Sequence, residues 1–225
     1  MAILMSFTIC IMSGESIAVS VKAEPMSGIS NNTLIRVTDK KTEEEKFVIK
    51  LIEKEKINEV PLYIQQDYPD TSYGEYGTVS SHGCGIACLA MVATYLTDRI
   101  YKPDELAIKY SDYNTENGSK WILFEDSAEE LNLSLQGRTN SKKQVIKALK
   151  NGQVVISLQS EGLFTDTGHF IVLESISPDG KIFVKDPNIK NYDKNKTLIR
   201  GFKNGFAERQ IFENGGPYWI YDKKI

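Results

Sequence analysis

Apolar positions along this chain follow two regimes. From Cys84 to Leu96 almost every position is apolar or small, including Ile86, Ala87, Leu89, Ala90, Met91, Val92, Ala93 and Leu96. A helix that is apolar all round is buried rather than laid on a surface. The run therefore predicts a central helix beginning at Cys84. Pro103, followed by Asp104, Glu105, Leu106 and Ala107, opens a second helix, since proline suits the first helical turn. Asp126 to Leu131 gives a short third. Ser141-Lys142-Lys143-Gln144 has the form of a capping box, and the helix that it opens ends near Gly152. Beyond Gly152 the period changes. Val154–Leu158, Phe170–Leu173, Ile182–Val184 and Tyr218–Tyr221 are short runs rich in β-branched or aromatic residues, and Ser177-Pro178-Asp179-Gly180 is a turn. Helices first and strands afterwards predict an α+β fold, with the buried helix packed on an antiparallel sheet.

The region before the domain reads differently. Ala2 to Met12 is an apolar run of signal-peptide length, too short to span a bilayer. Val21-Lys22-Ala23 then offers small or apolar residues at the positions a signal peptidase reads, with cleavage after Ala23, although no Lys or Arg precedes the run. Residues 1–23 are thus expected to be a signal peptide, and the product secreted or bound at the cell surface. Residues 24–58 are expected to be a polar linker followed by an amphipathic helix from Lys40 to Ile57, with Phe47, Val48, Leu51, Ile52 and Ile57 near helical spacing. The domain proper is expected over 59–225, opening on Val60-Pro61-Leu62-Tyr63, with a Tyr/Gly-rich loop from Tyr68 to Ser81.

Composition narrows the function. The chain has 225 residues, 41% of them hydrophobic and 25% charged, which suits one globular domain with extras. A net charge of -3, with lysines and acids interspersed, argues against nucleic acid as a partner. Of the three cysteines, Cys10 would leave with the signal. Cys84 and Cys88 stand one helical turn apart, and a bridge between them would close almost no loop. A zinc site needs further N or S ligands, and the chain holds only two histidines, so neither metal nor cofactor is expected.

The candidate chemistry centres on Gly83-Cys84-Gly85. A thiol at a helix N-terminus meets unpaired N–H groups and the positive end of the helix dipole, both of which favour the thiolate. The flanking glycines would let a substrate backbone approach. Cys88 lies one turn deeper in apolar surroundings and reads as structural. The base is His82 or His169. His82 sits in a tight Ser-His-Gly turn with no carboxylate placed to orient it. His169 begins a strand, and Asp186 ends the next one across the 177–180 turn. A hairpin loop of even length would put the two on one sheet face as opposite or diagonal neighbours, while a three- or five-residue loop would separate them. An imidazole oriented by a carboxylate suits the first case. Gln65 and Gln66 are both placed to offer a side-chain amide to an oxyanion, beside the Cys84 N–H.

Four blocks, taken together, resemble the peptidase C39-like family of papain-like cysteine peptidases, related to the bacteriocin-processing peptidases. They are Val60-Pro61-Leu62-Tyr63-Ile64-Gln65-Gln66-Asp67, Gly83-Cys84-Gly85 with Leu89-Ala90-Met91, Gly168-His169-Phe170-Ile171-Val172-Leu173, and Asp186-Pro187. The resemblance runs from about residue 60 to the C-terminus. It implies a papain-like fold with Cys84 as nucleophile, His169 as base and Asp186 as orienting acid. It also selects Gln65 over Gln66 for the oxyanion, and makes Cys88 a non-catalytic second cysteine. The bacteriocin processors are fused to membrane exporters. This sequence shows neither transmembrane helices beyond the possible signal nor a G-x-x-x-x-G-K-[ST] motif, so their double-glycine specificity does not carry over. The expectation is a secreted cysteine peptidase acting on a peptide or protein. A catalytically idle peptide- or cell-wall-binding module and a cysteine amidase or transferase acting on cell-wall peptides are the alternatives.

Overall fold

The computed structural model describes residues 57–223 and four short strands nearer the N-terminus. Those strands form two antiparallel pairs, Ser6–Ile9 with Ile17–Ser20 and Ile35–Val37 with Lys46–Val48. The second pair departs from the amphipathic helix expected over Lys40–Ile57. Phe47 and Val48 are aromatic and β-branched, types that favour an extended chain. The rest of that helix, and the remaining parts of the expected signal peptide and linker, lie outside the described residues. The chain divides into two compact units, residues 1–56 and 57–225, and the second holds the candidate site.

In this second unit the expected helices are present as Cys84–Thr97, Pro103–Lys109, Leu123–Glu130 and Lys142–Lys150. Ser141 caps the last of these, its hydroxyl accepting the Gln144 N–H at 3.4 Å. The Cys84–Thr97 helix stops at Asp98, whose φ of 52° is left-handed. Five strands form one antiparallel sheet in the order Ile182–Lys185, Gly168–Ile176, Val154–Ser160, Gly215–Asp222, Ser134–Thr139. The fold is therefore α+β, as the order of elements predicts.

The sheet is covered on both faces, which explains the continuous apolar runs in its strands. Val154, Ile156, Phe170, Val172, Trp219 and Tyr221 cluster with Ile86, Leu89, Met91 and Val92 of the Cys84–Thr97 helix. The alternate residues Val155, Ile171, Leu173, Val184, Tyr218 and Ile220 cluster with Val145, Ala148 and Leu149 and with Leu198, Phe206 and Ile211. Burying each large side chain contributes about 1.5–3 kcal/mol, so the helix is firmly seated on the sheet. The site therefore rests on a rigid frame.

Within the stretch Tyr68–Ser81, expected to be a loop, Ser72–Tyr73 pairs with Gly77–Thr78 and a helical turn starts at Val79. Four longer elements were also not foreseen from the pattern. The edge strand Ser134–Thr139 carries one large apolar residue, Leu135, and presents no buried face. Ile189–Lys194, Lys196–Asn204 and Glu208–Phe212 are short helices in a polar stretch, with few buried positions each.

Candidate active site

The cysteine end of the site is built by a handover between helical turns. A single turn, Val79–His82, ends when the Gly83 N–H donates to the Val79 carbonyl at 2.8 Å. The Gly83 carbonyl then accepts the Ala87 N–H at 2.9 Å, and the long helix starts at Cys84. The Cys84 N–H thus lies in the first turn, where backbone donors lack intrahelical acceptors. Cys84 keeps partial exposure, whereas its helix from Gly85 to Thr94 is buried.

The flanking glycines have a packing reason beside the substrate access expected of them. A Cβ at Gly83 would lie 2.5 Å from the Val79 carbonyl oxygen. One at Gly85 would lie 2.5 Å from Ser119 Oγ and 3.3 Å from the Phe170 ring. Both positions are small because neighbouring chain packs against them.

His169 and Asp186 meet, by a route that the even-loop premise did not contain. Ile176 pairs with Ile182, so the connecting loop is five residues, 177–181. A regular ladder from that turn would place His169 and Asp186 on opposite faces. The register shifts between Leu173 and Ser175, where Glu174 is an extra residue. Beyond this bulge Leu173 pairs with Val184 and Val172 with Lys185. Continued by one step, that register sets Asp186 opposite Ile171, diagonal to His169. The His169 Nε2 stands 2.7 Å from Asp186 Oδ1. The bulged Glu174 also accepts the Val60 N–H at 2.9 Å, which ties the start of the domain to this hairpin.

Electrostatics link these groups to the thiol. With Nε2 held by the carboxylate, Nδ1 is the ring nitrogen left for the Cys84 thiol, with which the imidazole shares a hydrogen bond. Burial opposes ionisation of Cys84. The His169 hydrogen bond and charge, with the backbone N–H groups of Phe170 and Gly85, outweigh burial and hold the thiol below its ordinary value. Burial likewise disfavours the imidazolium. The charge and hydrogen bond of Asp186, then those of Cys84, overcome that and push His169 from 6.5 up to about 10. The combination favours a thiolate–imidazolium pair.

Asp186 is fully buried and its oxygens have three donors. Oδ1 accepts from His169 and from the Asn188 N–H at 2.8 Å, and Oδ2 from Asn191 Nδ2 at 2.8 Å.

The two glutamines part company. The Gln65 side chain is buried, and its Nε2 donates to the Ser80 carbonyl at 2.8 Å, four residues before Cys84. One Nε2 hydrogen is left over. Gln66 is committed elsewhere: its Nε2 donates to Asn188 Oδ1 at 3.1 Å and its Oε1 accepts the Ile189 N–H at 3.0 Å. The Gln65 backbone N–H donates to the Pro187 carbonyl at 2.8 Å, so the segment before the helix clasps the acid loop. His82 is held by Ser81, with 2.8 Å between its Nδ1 and the hydroxyl. Cys88 is fully buried, and burial first, then the charges of Cys84 and Asp186, push its thiol well above the ordinary value. The site residue that sequence reasoning missed is Asn191. It stands five positions past Asp186 in a Lys/Asn/Tyr/Asp stretch, and nothing in that stretch marks it as buried.

A thiol on a partly exposed cysteine at a helix start, hydrogen-bonded to a strand histidine that is itself bonded to a buried carboxylate, defines an α+β domain equipped for thiol chemistry. The model of the Peptidase C39 like family matches residues 57–216, and the chain belongs to that family. Among solved structures, the peptidase domain of Streptococcus ComA, a bi-functional ABC transporter involved in a quorum sensing pathway, aligns with a TM-score of 0.46 and 11% identity. The alignment covers 68% of this chain and 100% of that one. No curated protein matches the chain. Among the described residues, no group of His, Cys, Asp and Glu is placed to hold a metal ion, and no helix is long and apolar enough to cross a membrane.

Proposed function

We propose that the chain is a cysteine peptidase that hydrolyses peptide bonds in a peptide or protein substrate. The observation that carries the reading is the continuous chain of contacts from Cys84 through His169 to Asp186. Family membership supports the same class.

The Cys84 thiolate attacks the scissile carbonyl carbon, and the carbonyl π electrons move to oxygen. The oxyanion takes hydrogen bonds from the Cys84 N–H and from the spare Gln65 Nε2 hydrogen. His169 gives its Nδ1 proton to the leaving amine as the C–N bond breaks, leaving a thioester. The now neutral imidazole takes a proton from water as the hydroxyl adds to the thioester. The C–S bond then breaks, and the sulfur departs as thiolate beside a re-formed imidazolium. Asp186 stays ionised and holds the ring in orientation throughout. Hydrolysis should therefore rise on the acid side as Cys84 ionises and fall on the alkaline side as His169 loses its proton near 10.

The same reading makes the protein secreted or surface-bound, supported by the apolar run Ala2–Met12 and by Val21 and Ala23 at the positions a signal peptidase reads before Glu24. Mass spectrometry of the chain from its producing cells tests this: a mature N-terminus at Glu24 is expected, and an intact Met1 contradicts it. The activity is tested with a fluorogenic peptide library and the full chain. Cleavage that is lost in Cys84→Ala and blocked by iodoacetamide is expected. No turnover of any peptide, despite a reactive Cys84, would turn the reading towards a binding module.

A further inference from the structure

We propose that Asn191 is the positioning residue of this site, its side-chain amide fixing the Asp186 carboxylate so that Oδ1 alone faces His169. The proposal rests on the peptidase reading above.

A carboxylate alone can turn about its Cβ–Cγ bond and exchange its two oxygens. Asp186 is fully buried, so water does not hold it in one orientation. Asn191 does. It is only 3% exposed, and its Nδ2 makes two hydrogen bonds of 2.8 Å, one to Asp186 Oδ2 and one to the Phe164 carbonyl oxygen. Both amide hydrogens are therefore used. The arrangement also has a sense. Only the NH2 side of the amide can face a carboxylate, because the amide oxygen would be repelled by it. A buried amide also costs free energy unless it is hydrogen-bonded, so the pairing is retained in the fold.

The second bond gives the amide a wider reach. Phe164 lies in the loop between the strands Val154–Ser160 and Gly168–Ile176, the loop that leads into His169. Asn191 thus joins the acid to the segment just ahead of the base. It sits on the Ile189–Lys194 helix, whose cap Asn188 gives its own N–H to Asp186 Oδ1. One short helix therefore controls both oxygens of the acid. The titratable groups that sense Asp186 are His169 on its strand, Cys88 on the central helix and Tyr192 beside Asn191. Burial pushes both Cys88 and Tyr192 upward, helped at Cys88 by the charge of Cys84 and then of Asp186 and at Tyr192 by the charge of Asp186, so they keep their protons. His169 is the group through which a turned carboxylate would be felt. The imidazolium would lose its partner, and the Cys84 thiolate would lose the imidazolium.

The test is the pH profile of Cys84 alkylation by iodoacetamide, read peptide by peptide on the full chain. Wild type, Asn191→Ala, Asn191→Leu and Asp186→Asn are compared, with thermal unfolding as a check on the fold. Leucine fills the space without offering a donor. Both Asn191 variants should move the half-maximal pH upward by about one unit, which makes alkylation roughly tenfold slower at pH 6. Asp186→Asn should move it at least as far. If Asp186→Asn shifts the profile and the folded Asn191 variants do not, the proposal is overturned and the peptidase reading stands. If Asp186→Asn leaves the profile unmoved, the reading of the site fails first. Should neither Asn191 variant fold, NMR on the wild type decides. The Asn191 side-chain 13Cγ resonance should move with the midpoint of the His169 ring, and a flat resonance overturns the proposal.

Discussion

Cys84 and Cys88 lie one turn apart on the same helix, yet their thiols are driven in opposite directions. Both are opposed by burial, the largest influence on each. Only Cys84 has compensation: an imidazole, two backbone donors and a place in the first turn, where peptide dipoles point towards a negative charge. Cys88, within the helix, meets the negative charges of Cys84 and Asp186 and no donor that would offset them. A shift of about 6 Å along a helix, four residues, is enough to separate a thiol favoured as thiolate from one that keeps its proton. Reactivity here belongs to position rather than to residue type.

That contrast can be broken at several points. Cys84→Ala should cut peptide hydrolysis by on the order of 10⁴–10⁶-fold, measured as kcat/KM against the best library substrate. His169→Ala should cost about 10²–10⁴-fold in hydrolysis, and should also return the half-maximal pH of Cys84 alkylation to the ordinary thiol range. An unchanged alkylation profile in that variant would mean that the ring does not assist the sulfur. Gln65→Ala sharpens the comparison, since it should lower kcat about 10²–10³-fold while leaving alkylation as it was. Equal losses in both assays would place Gln65 in structure rather than at the oxyanion. Cys88→Ala should have the smallest effect: activity within about twofold of wild type and a stability loss of about 1 kcal/mol by denaturant melting, from the vacated space.

Much of this arrangement was legible in the sequence. The central helix is apolar on all sides because it is enclosed, and the strand runs are continuous because both sheet faces are covered. The pairing of His169 with Asp186 follows from their places on neighbouring strands, but its route was hidden. Parity from the turn alone gives the wrong face, because the loop has five residues and Glu174 is an extra residue that restores the register. A bulge leaves no hydrophobic signature when the inserted residue is a half-buried glutamate. Asn191 was illegible for a related reason. Its hydrogen-bond partners are the Phe164 carbonyl, 27 positions away, and the side chain of Asp186 before its own helix, and an asparagine in a polar run looks like surface. The glycines beside Cys84 were legible as necessary, but the packing reason at Gly85 was not, since Ser119 approaches it only in three dimensions.

The Asp186 and Cys84 ends of the site also differ in how far they are completed. Asp186 has donors on both oxygens, while Cys84 is left partly open and Gln65 Oε1 is buried with no partner. A closed acid and an open sulfur suit a site in which one end is scaffold and the other must receive a substrate.

The most direct measurement is the rate of iodoacetamide alkylation at each cysteine of the wild-type chain, followed by mass spectrometry from acidic to alkaline pH. Cys84 should react readily on the acid side of the ordinary thiol range, because its folded pKa is lowered, while Cys88 stays unmodified until the protein unfolds. Equal rates at the two sulfurs, or a Cys84 that ionises only where a free thiol does, would contradict the thiolate–imidazolium pair.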